Sequence, residues 1–244
     1  MLQNYKLFDQ PLNSIQQKKV LINTINAHSL NTSNDDDIFN KALKNSNVLL
    51  PDGISVVWAK RMLSGEKIQK IAGADLFYYE MERINTIRGK CFFLGSTDSV
   101  LQLIRERSAK EFPNVQVFSY SPPYRPVFSP DESKVMIEKV NEVKPDVLFV
   151  GMTAPKQEKW ASQNFNQLLV GHVCCIGAVF DFYAGKINRA PKWMINMGIE
   201  WLYRLIKEPR RMWRRYLIGN LKFIVYLLME IEVNIEKHIS IKIN

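Results

Sequence analysis

Six short apolar runs punctuate the first two thirds of the chain, at Val20–Asn23, Val48–Leu50, Cys91–Leu94, Val115–Phe118, Val147–Val150 and Val173–Ile176. Each is near-continuously hydrophobic, as in strands buried on both faces. Between them the apolar positions recur at helical spacing, which predicts helices over about 34–44, 54–63, 74–88, 99–110, 132–143 and 157–165. Pro51-Asp52-Gly53, Leu94-Gly95-Ser96-Thr97 and Lys144-Pro145-Asp146 supply turns between the two kinds of segment. Strands alternating with helices of this length predict an α/β protein with a mostly parallel sheet and helices on both faces.

The pattern changes after Pro191. From Trp193 the chain is helical in character, aromatic and basic. We therefore divide it into an α/β core, 1–190, and a helical appendage, 191–244. The whole chain of 244 residues carries a net charge of +9. Between Arg204 and Arg215, five arginines and one lysine face a single glutamate, a net +5. Trp201, Tyr203, Trp213 and Tyr216 are interleaved with these cations. Lys/Arg mixed with Trp/Tyr and Leu/Ile is the composition of a helix lying in a membrane interface. Each such cation contributes about 1 kcal/mol toward an anionic leaflet. A solvated basic face packed on the core through its aromatics is the competing reading. Nucleic acid is disfavoured, because no zinc-finger spacing or RNA-binding signature accompanies the charge.

The remaining composition, 46% hydrophobic and 23% charged, is ordinary for a globular protein. No apolar run reaches the roughly 18 residues of a spanning helix, and the N-terminus lacks a signal-peptide core. Three cysteines, two of them adjacent in an apolar run, form no disulfide framework and fit a reducing cytoplasm.

Candidate chemistry sits at strand ends. Asp52 lies on a strand-to-helix turn, either as a helix cap or as a ligand-facing carboxylate. Leu94–Thr97 opens a helix after a strand. There Gly95 either lets a phosphate approach the backbone or serves a plain turn. Thr24, Asn26 and His28 share one loop, and Lys156, Gln157 and Glu158 follow another strand. With Gly177–Phe182, these loops can converge on one crevice with Asp52. Asp35-Asp36-Asp37 contains an Asp-x-Asp, but its place at a helix start favours a dipole role. His28, His172 and His238 show no ligand spacing, so no metal and no cofactor are expected. Neither a Gly-x-Gly-x-x-Gly nor a P-loop occurs, against a dinucleotide-dependent oxidoreductase.

Several segments occur together in one order: Thr24-Ile25-Asn26-Ala27-His28, Pro51-Asp52-Gly53 through Trp58, Ile71-Ala72-Gly73-Ala74-Asp75, Gly151 through Glu158, Phe180 through Gly185, Gly198 through Arg204, and Glu208-Pro209-Arg210. Together they resemble the bacterial WecG/TagA/CpsF glycosyltransferases, family 26, from about residue 20 to residue 220. The resemblance implies a Rossmann-like core of the type called GT-E. It implies metal-independent, inverting transfer of a sugar from a UDP-linked donor to a polyprenyl-diphosphate-linked sugar, in teichoic acid, capsule or other surface polysaccharide synthesis. It makes Asp52 the catalytic base, with Thr24 beside it. Lys70 and Gln157 take substrate-binding roles, to which the strand-end loops add Asn26, Gly95 and Glu158. Lys70 stands where relatives often carry arginine, so the charge is kept but the bidentate fork is lost. The basic appendage, with Arg204, Arg210, Arg211, Arg214 and Arg215, is expected to dock on the inner face of the cell membrane and complete the site. Away from the membrane, its apolar surface favours self-association into homo-oligomers. The alternatives are a basic membrane- or nucleic-acid-binding module without activity, and a nucleotide-dependent oxidoreductase.

Overall fold

The computed structural model describes residues 2–243, with side chains at all of these except 196 and 234–243. Its centre is a six-stranded, all-parallel sheet. The strands are β1 (Val20–Ile25), β2 (Val48–Pro51), β3 (Lys90–Gly95), β4 (Gln116–Tyr120), β5 (Val147–Gly151) and β6 (His172–Cys175), in the order β2-β1-β6-β5-β3-β4. The predicted α/β class, parallel sheet and helical cover are all present, and all six predicted strands fall where the apolar runs lie.

Alternation along the strands builds two core layers. Ile22, Phe93, Phe149 and Cys174 face one side, against Phe77, Leu101 and Phe180. Leu21, Phe92, Leu148 and Val173 face the other, against Met136, Val140 and Trp160. The helices that supply these residues are α4 (Gly73–Thr86), α5 (Asp98–Glu111), α6 (Pro130–Val143), α7 (Lys156–Asn164) and α8 (Val179–Tyr183). Their starts follow the capping rules. Thr97 caps α5 and Ser129 caps α6, where Glu132 closes the reciprocal bond to the Ser129 N–H.

At the β2 edge the structure departs from the expected loop after β1. The strand runs on to Ile25, and α1 (Ala27–Asp35) begins at once. The Asn26 side chain accepts from the Ser29 N–H at 3.0 Å, so it caps α1. The sequence Ala-His-Ser-Leu-Asn-Thr-Ser-Asn-Asp is polar and weakly amphipathic, which hides this helix from periodicity. The helix expected from 34 to 44 begins later, as α2 (Asp37–Lys44). Asp36 is extended and caps it through the Phe39 N–H at 3.0 Å. Asp36 also pairs with Lys159, and Asp35 pairs with Lys222. The Asp35–Asp37 run is thus taken up by helix ends and ion pairs. Helix α3 (Ile54–Ser64) follows β2, and the loop 65–72 returns beside that strand.

From Lys192 onward the structure is helical: α9 (Lys192–Asn196), α10 (Glu200–Lys207), α11 (Pro209–Trp213), a π-helical turn (Arg214–Ile218) and α12 (Gly219–Ile243). This appendage is bound into the core. Phe223 of α12 is buried in a cluster with Ile25, Leu30, Phe39, Leu49 and Val56. The Leu2 and Gln3 N–H groups donate to the Glu230 carboxylate at 3.0 and 3.2 Å. None of the described helices is long and apolar enough to cross a membrane.

Candidate active site

A cavity of about 550 Å³ opens at the carboxyl edge of the sheet, beyond β2, β1 and β6. Asn26 and His28 reach it from the start of α1, Asp52 and Trp58 from the β2–α3 turn and α3, and Lys70 from the loop before α4. The β6–α8 turn contributes Ile176 and Ala178. The far wall is the appendage: Glu200, Trp201, Arg204, Arg215, Phe223 and Leu228 among others.

Asp52 does not cap α3. Gly53 holds the N-cap position at φ 131°, with no side-chain cap bond. That φ lies where L side chains are strained, so a glycine there lets the chain turn sharply out of β2. The Asp52 N–H donates to the Ile25 carbonyl at 2.9 Å, which pins the turn to the end of β1. Next to it, the Ile71 N–H donates to the Pro51 carbonyl at 3.0 Å and brings the Lys70 segment alongside. The Asp52 carboxyl is pushed up to about 6. Burial is the main cause and the Glu200 carboxylate the next; Lys70 and Arg189 oppose, while Asp75 adds to the rise. A base with this proton affinity is poised for proton transfer near neutral pH.

His28 behaves in the opposite sense. Burial, and then the Arg215 guanidinium, push its imidazole down to about 4, so it is neutral at pH 7. Arg215 enters the cavity from the π-helical turn, a device that re-aims side chains within a helix. The turn is fastened by Asn31, whose amide donates to the Gly219 carbonyl at 2.7 Å. Arg204 reaches the cavity from α10 and stacks over Phe182, 5.4 Å from the ring centre. The Nε atoms of Arg204 and Arg215 are buried with no hydrogen-bond partner among the described residues. Gly198, at φ 74°, fits the appendage against α3, where a Cβ would lie 2.9 Å from Ile54 Cγ2.

The expected site residues are not all brought together. Asp52, Asn26, Lys70, Arg204 and Arg215 line the cavity; Thr24, Gly95, Gln157, Glu158, Arg210, Arg211 and Arg214 do not. Thr24 lies within β1, opposite Leu50 of β2. Gly95 meets the neighbouring strand, since a Cβ there would be 2.5 Å from the Gly151 carbonyl oxygen. Gln157 is buried beneath the β6–α8 turn. Its Oε1 accepts from the Met152 N–H at 3.2 Å and its Nε2 donates to Glu158 Oε1 at 2.8 Å. Burial raises the Glu158 carboxyl to about 7, with the Gln157 bond opposing. Arg210 is exposed, Arg211 pairs with Glu208 at 2.7 Å, and Arg214 lies over Trp213. Arg189 lines the cavity although no motif marks it in the sequence, and Glu200 and His28, each inside a quoted segment, join it without an assigned role. For Glu200 a signal existed, because it lies four positions before Arg204 on one helix face.

Ligand sites at the carboxyl edge of a parallel sheet are the rule in Rossmann-like proteins, and a raised carboxylate facing several cations suits group transfer away from a phosphate. Fold and site together define an α/β enzyme of Rossmann-like type. Sequence comparison then fixes the family. Residues 4–236 match the description "Glycosyl transferase WecG/TagA/CpsF family", and the chain belongs to that family of glycosyltransferases. Among similar proteins is the N-acetylglucosaminyldiphosphoundecaprenol N-acetyl-beta-D-mannosaminyltransferase of Bacillus subtilis strain 168. It is 31% identical over 203 residues, covering 83% of this chain and 77% of its own. The protein of that name from Staphylococcus aureus strain MW2 is 27% identical over 233 residues, covering 95% and 85%.

Proposed function

We propose that this glycosyltransferase moves an N-acetylmannosamine-type sugar from a UDP-linked donor to a polyprenyl-diphosphate-linked N-acetylglucosamine. The reaction belongs to teichoic acid or related surface polysaccharide synthesis, with inversion at the anomeric carbon and without a metal. One observation carries this reading: a single cavity joins Asp52, the cations Lys70, Arg204 and Arg215, and an apolar wall from α3 and α12. The names of the two relatives support it, since both act on a diphospholipid-linked N-acetylglucosamine.

In this mechanism Asp52 takes the proton of the acceptor hydroxyl as its oxygen attacks the anomeric carbon. The bond from that carbon to the UDP oxygen breaks on the opposite face. A positioned base of this kind contributes typically about 10²–10⁴-fold. Lys70, Arg204 and Arg215 take up the charge of the departing diphosphate. Arginine suits such oxygens because its planar fork donates two parallel bonds.

The acceptor's lipid places the reaction at a membrane surface. Trp213, Leu217, Ile218, Leu221, Leu228 and Met229 are all exposed on the appendage, beside exposed Arg210, Arg211 and Arg214. That combination supports peripheral docking on the anionic inner leaflet. Off the membrane, the same face would promote self-association.

The test is a panel of UDP-sugars, with and without EDTA, against a polyprenyl-diphosphate-linked N-acetylglucosamine acceptor, the product read by mass. UDP-N-acetylmannosamine is expected to be the preferred donor, undiminished by chelation. Transfer from no UDP-sugar would refute the reading.

A further inference from the structure

Glu200 is the first residue of α10 and lines the same cavity as Asp52. An acidic residue in a first helical turn is ordinarily explained by the helix dipole. Two observations ask for more. No side chain caps α10, so Glu200 is not tied up in end-capping. Its carboxylate instead meets Arg189, another cavity residue, with Oε1 3.7 Å from the Arg189 Nε. That is ion-pair range but longer than a hydrogen bond. Both side chains are about a quarter exposed, at 26% and 28%. The core thus supplies the base, and the appendage supplies a second carboxylate to the same cavity.

We propose that Glu200 is a positioning residue for the transfer step: its negative charge, held in the cavity through Arg189, makes Asp52 a stronger proton acceptor. This inference rests on the reading of Asp52 as the base. The physical reason is that a second negative charge in a partly desolvated site disfavours ionisation of the Asp52 carboxyl. The charged groups around Asp52 come from every side of the cavity. Lys70 and Asp75 flank the start of α4, Arg189 and Glu200 face it from the appendage side, and Arg204, Arg215 and His28 complete the ring. Among them Glu200 contributes the largest electrostatic push on Asp52. The appendage therefore does more than bind phosphates: it adds to the strength of the base.

The experiment is the pH profile of kcat/KM for the full chain with lipid-linked acceptor, comparing wild type with Glu200→Gln, Glu200→Asp, Arg189→Gln and Asp52→Asn. The wild-type acidic limb is expected near 6. In Glu200→Gln it should move down toward the ordinary carboxylate value of 3.8, with a plateau loss smaller than that of Asp52→Asn. Glu200→Asp keeps the charge and should hold the limb near 6. Arg189→Gln removes a cation that opposes the rise, so the limb should move up. Should Glu200→Gln fail to fold, Glu200→Ala reads the same effect: its limb is expected below 6, and a limb that stays near 6 would overturn the Glu200 role. A wild-type limb near 6 that stays put in Glu200→Gln, with Asp52→Asn inactive, would overturn the Glu200 role and leave the base assignment standing. Normal turnover by Asp52→Asn would overturn both.

Discussion

Replacing Asp52 with asparagine should make the protein more stable while removing its activity. The reasoning begins with the carboxyl's proton affinity, about 6 in the folded chain against 3.8 for an unperturbed group. The folded state holds this proton more tightly than the unfolded one. Below pH 3.8 both states keep the group neutral and nothing is lost. As pH rises from 3.8 through 6, the unfolded chain ionises first and gains. Above 6 the folded chain carries the full penalty, about 3 kcal/mol at about 1.36 kcal/mol per pH unit. Asparagine has the same shape and no charge, so it escapes this penalty. The figure is an upper bound, because the neutral amide also gives up attraction to Lys70 and Arg189. Thermal melts at pH 7.5 should show Asp52→Asn raised by up to roughly 10 °C, at roughly 2–4 °C per kcal/mol for a chain of this size. At pH 5 the stability difference should shrink to roughly half. Transfer activity should fall by about 10²–10⁴-fold at pH 7.5, and by about tenfold less at pH 5, where most of the wild-type base is already protonated. A variant no more stable than wild type at pH 7.5, or one whose advantage does not shrink at lower pH, would refute the claim that Asp52 is held in an ionisation-resisting site.

The arginines should separate by position. Arg215→Ala should lower kcat/KM by roughly 10²-fold or more, because it strips a charge-assisted donor from the cavity. Arg210→Ala should leave turnover of a water-soluble acceptor analogue intact and weaken only co-sedimentation with anionic vesicles. His28 should show no titration by NMR between pH 5 and 8, and in Arg215→Ala its pKa should rise from about 4 as that guanidinium is removed. Gly198→Ala sets a Cβ 2.9 Å from Ile54 Cγ2 at a φ of 74°. It should lose kcat more than overall stability, measured by turnover and melting in parallel, because it displaces α10 from α3.

The fold was largely legible because a parallel sheet buried on both faces writes itself as continuous apolar runs. Helix α1 was not, since its stability comes from Leu30 in the core and the Asn26 cap rather than from a broad apolar stripe. The site was legible in part. Asp52 stood out by its turn, but whether it capped α3 depended on Gly53 taking that position. Gln157 and Glu158 are polar at a strand end, which suggested a cavity role; they lie instead beneath the β6–α8 turn. Which arginines point inward was hidden for a geometric reason. The π-helical turn shifts the register between α11 and α12, so a regular 3.6-residue period cannot place Arg215 against Arg211 or Arg214.

The two inward arginines also explain why the appendage must be held so firmly. A buried, unpartnered donor costs about 1–3 kcal/mol, and more when it carries charge. The Nε groups of Arg204 and Arg215 are both in that condition among the described residues, close to a carboxyl that itself resists ionisation. Left to local preference, α10 and the π-helical turn would swing these side chains into water. They are kept in place by contacts away from the chemistry: Phe223 in the core, Asn31 on the Gly219 carbonyl, Lys222 on Asp35 and Gly198 against Ile54. Packing of the appendage therefore offsets an electrostatic cost concentrated at the cavity. A diphosphate bound there would give both guanidinium groups hydrogen-bond partners, without any rearrangement at the moment of reaction. The same donors become most useful as negative charge builds on the leaving group. On the proposed reading, membrane, lipid-linked acceptor and base would be coupled through one helical element, because the residues assigned to each are carried on it or held by it.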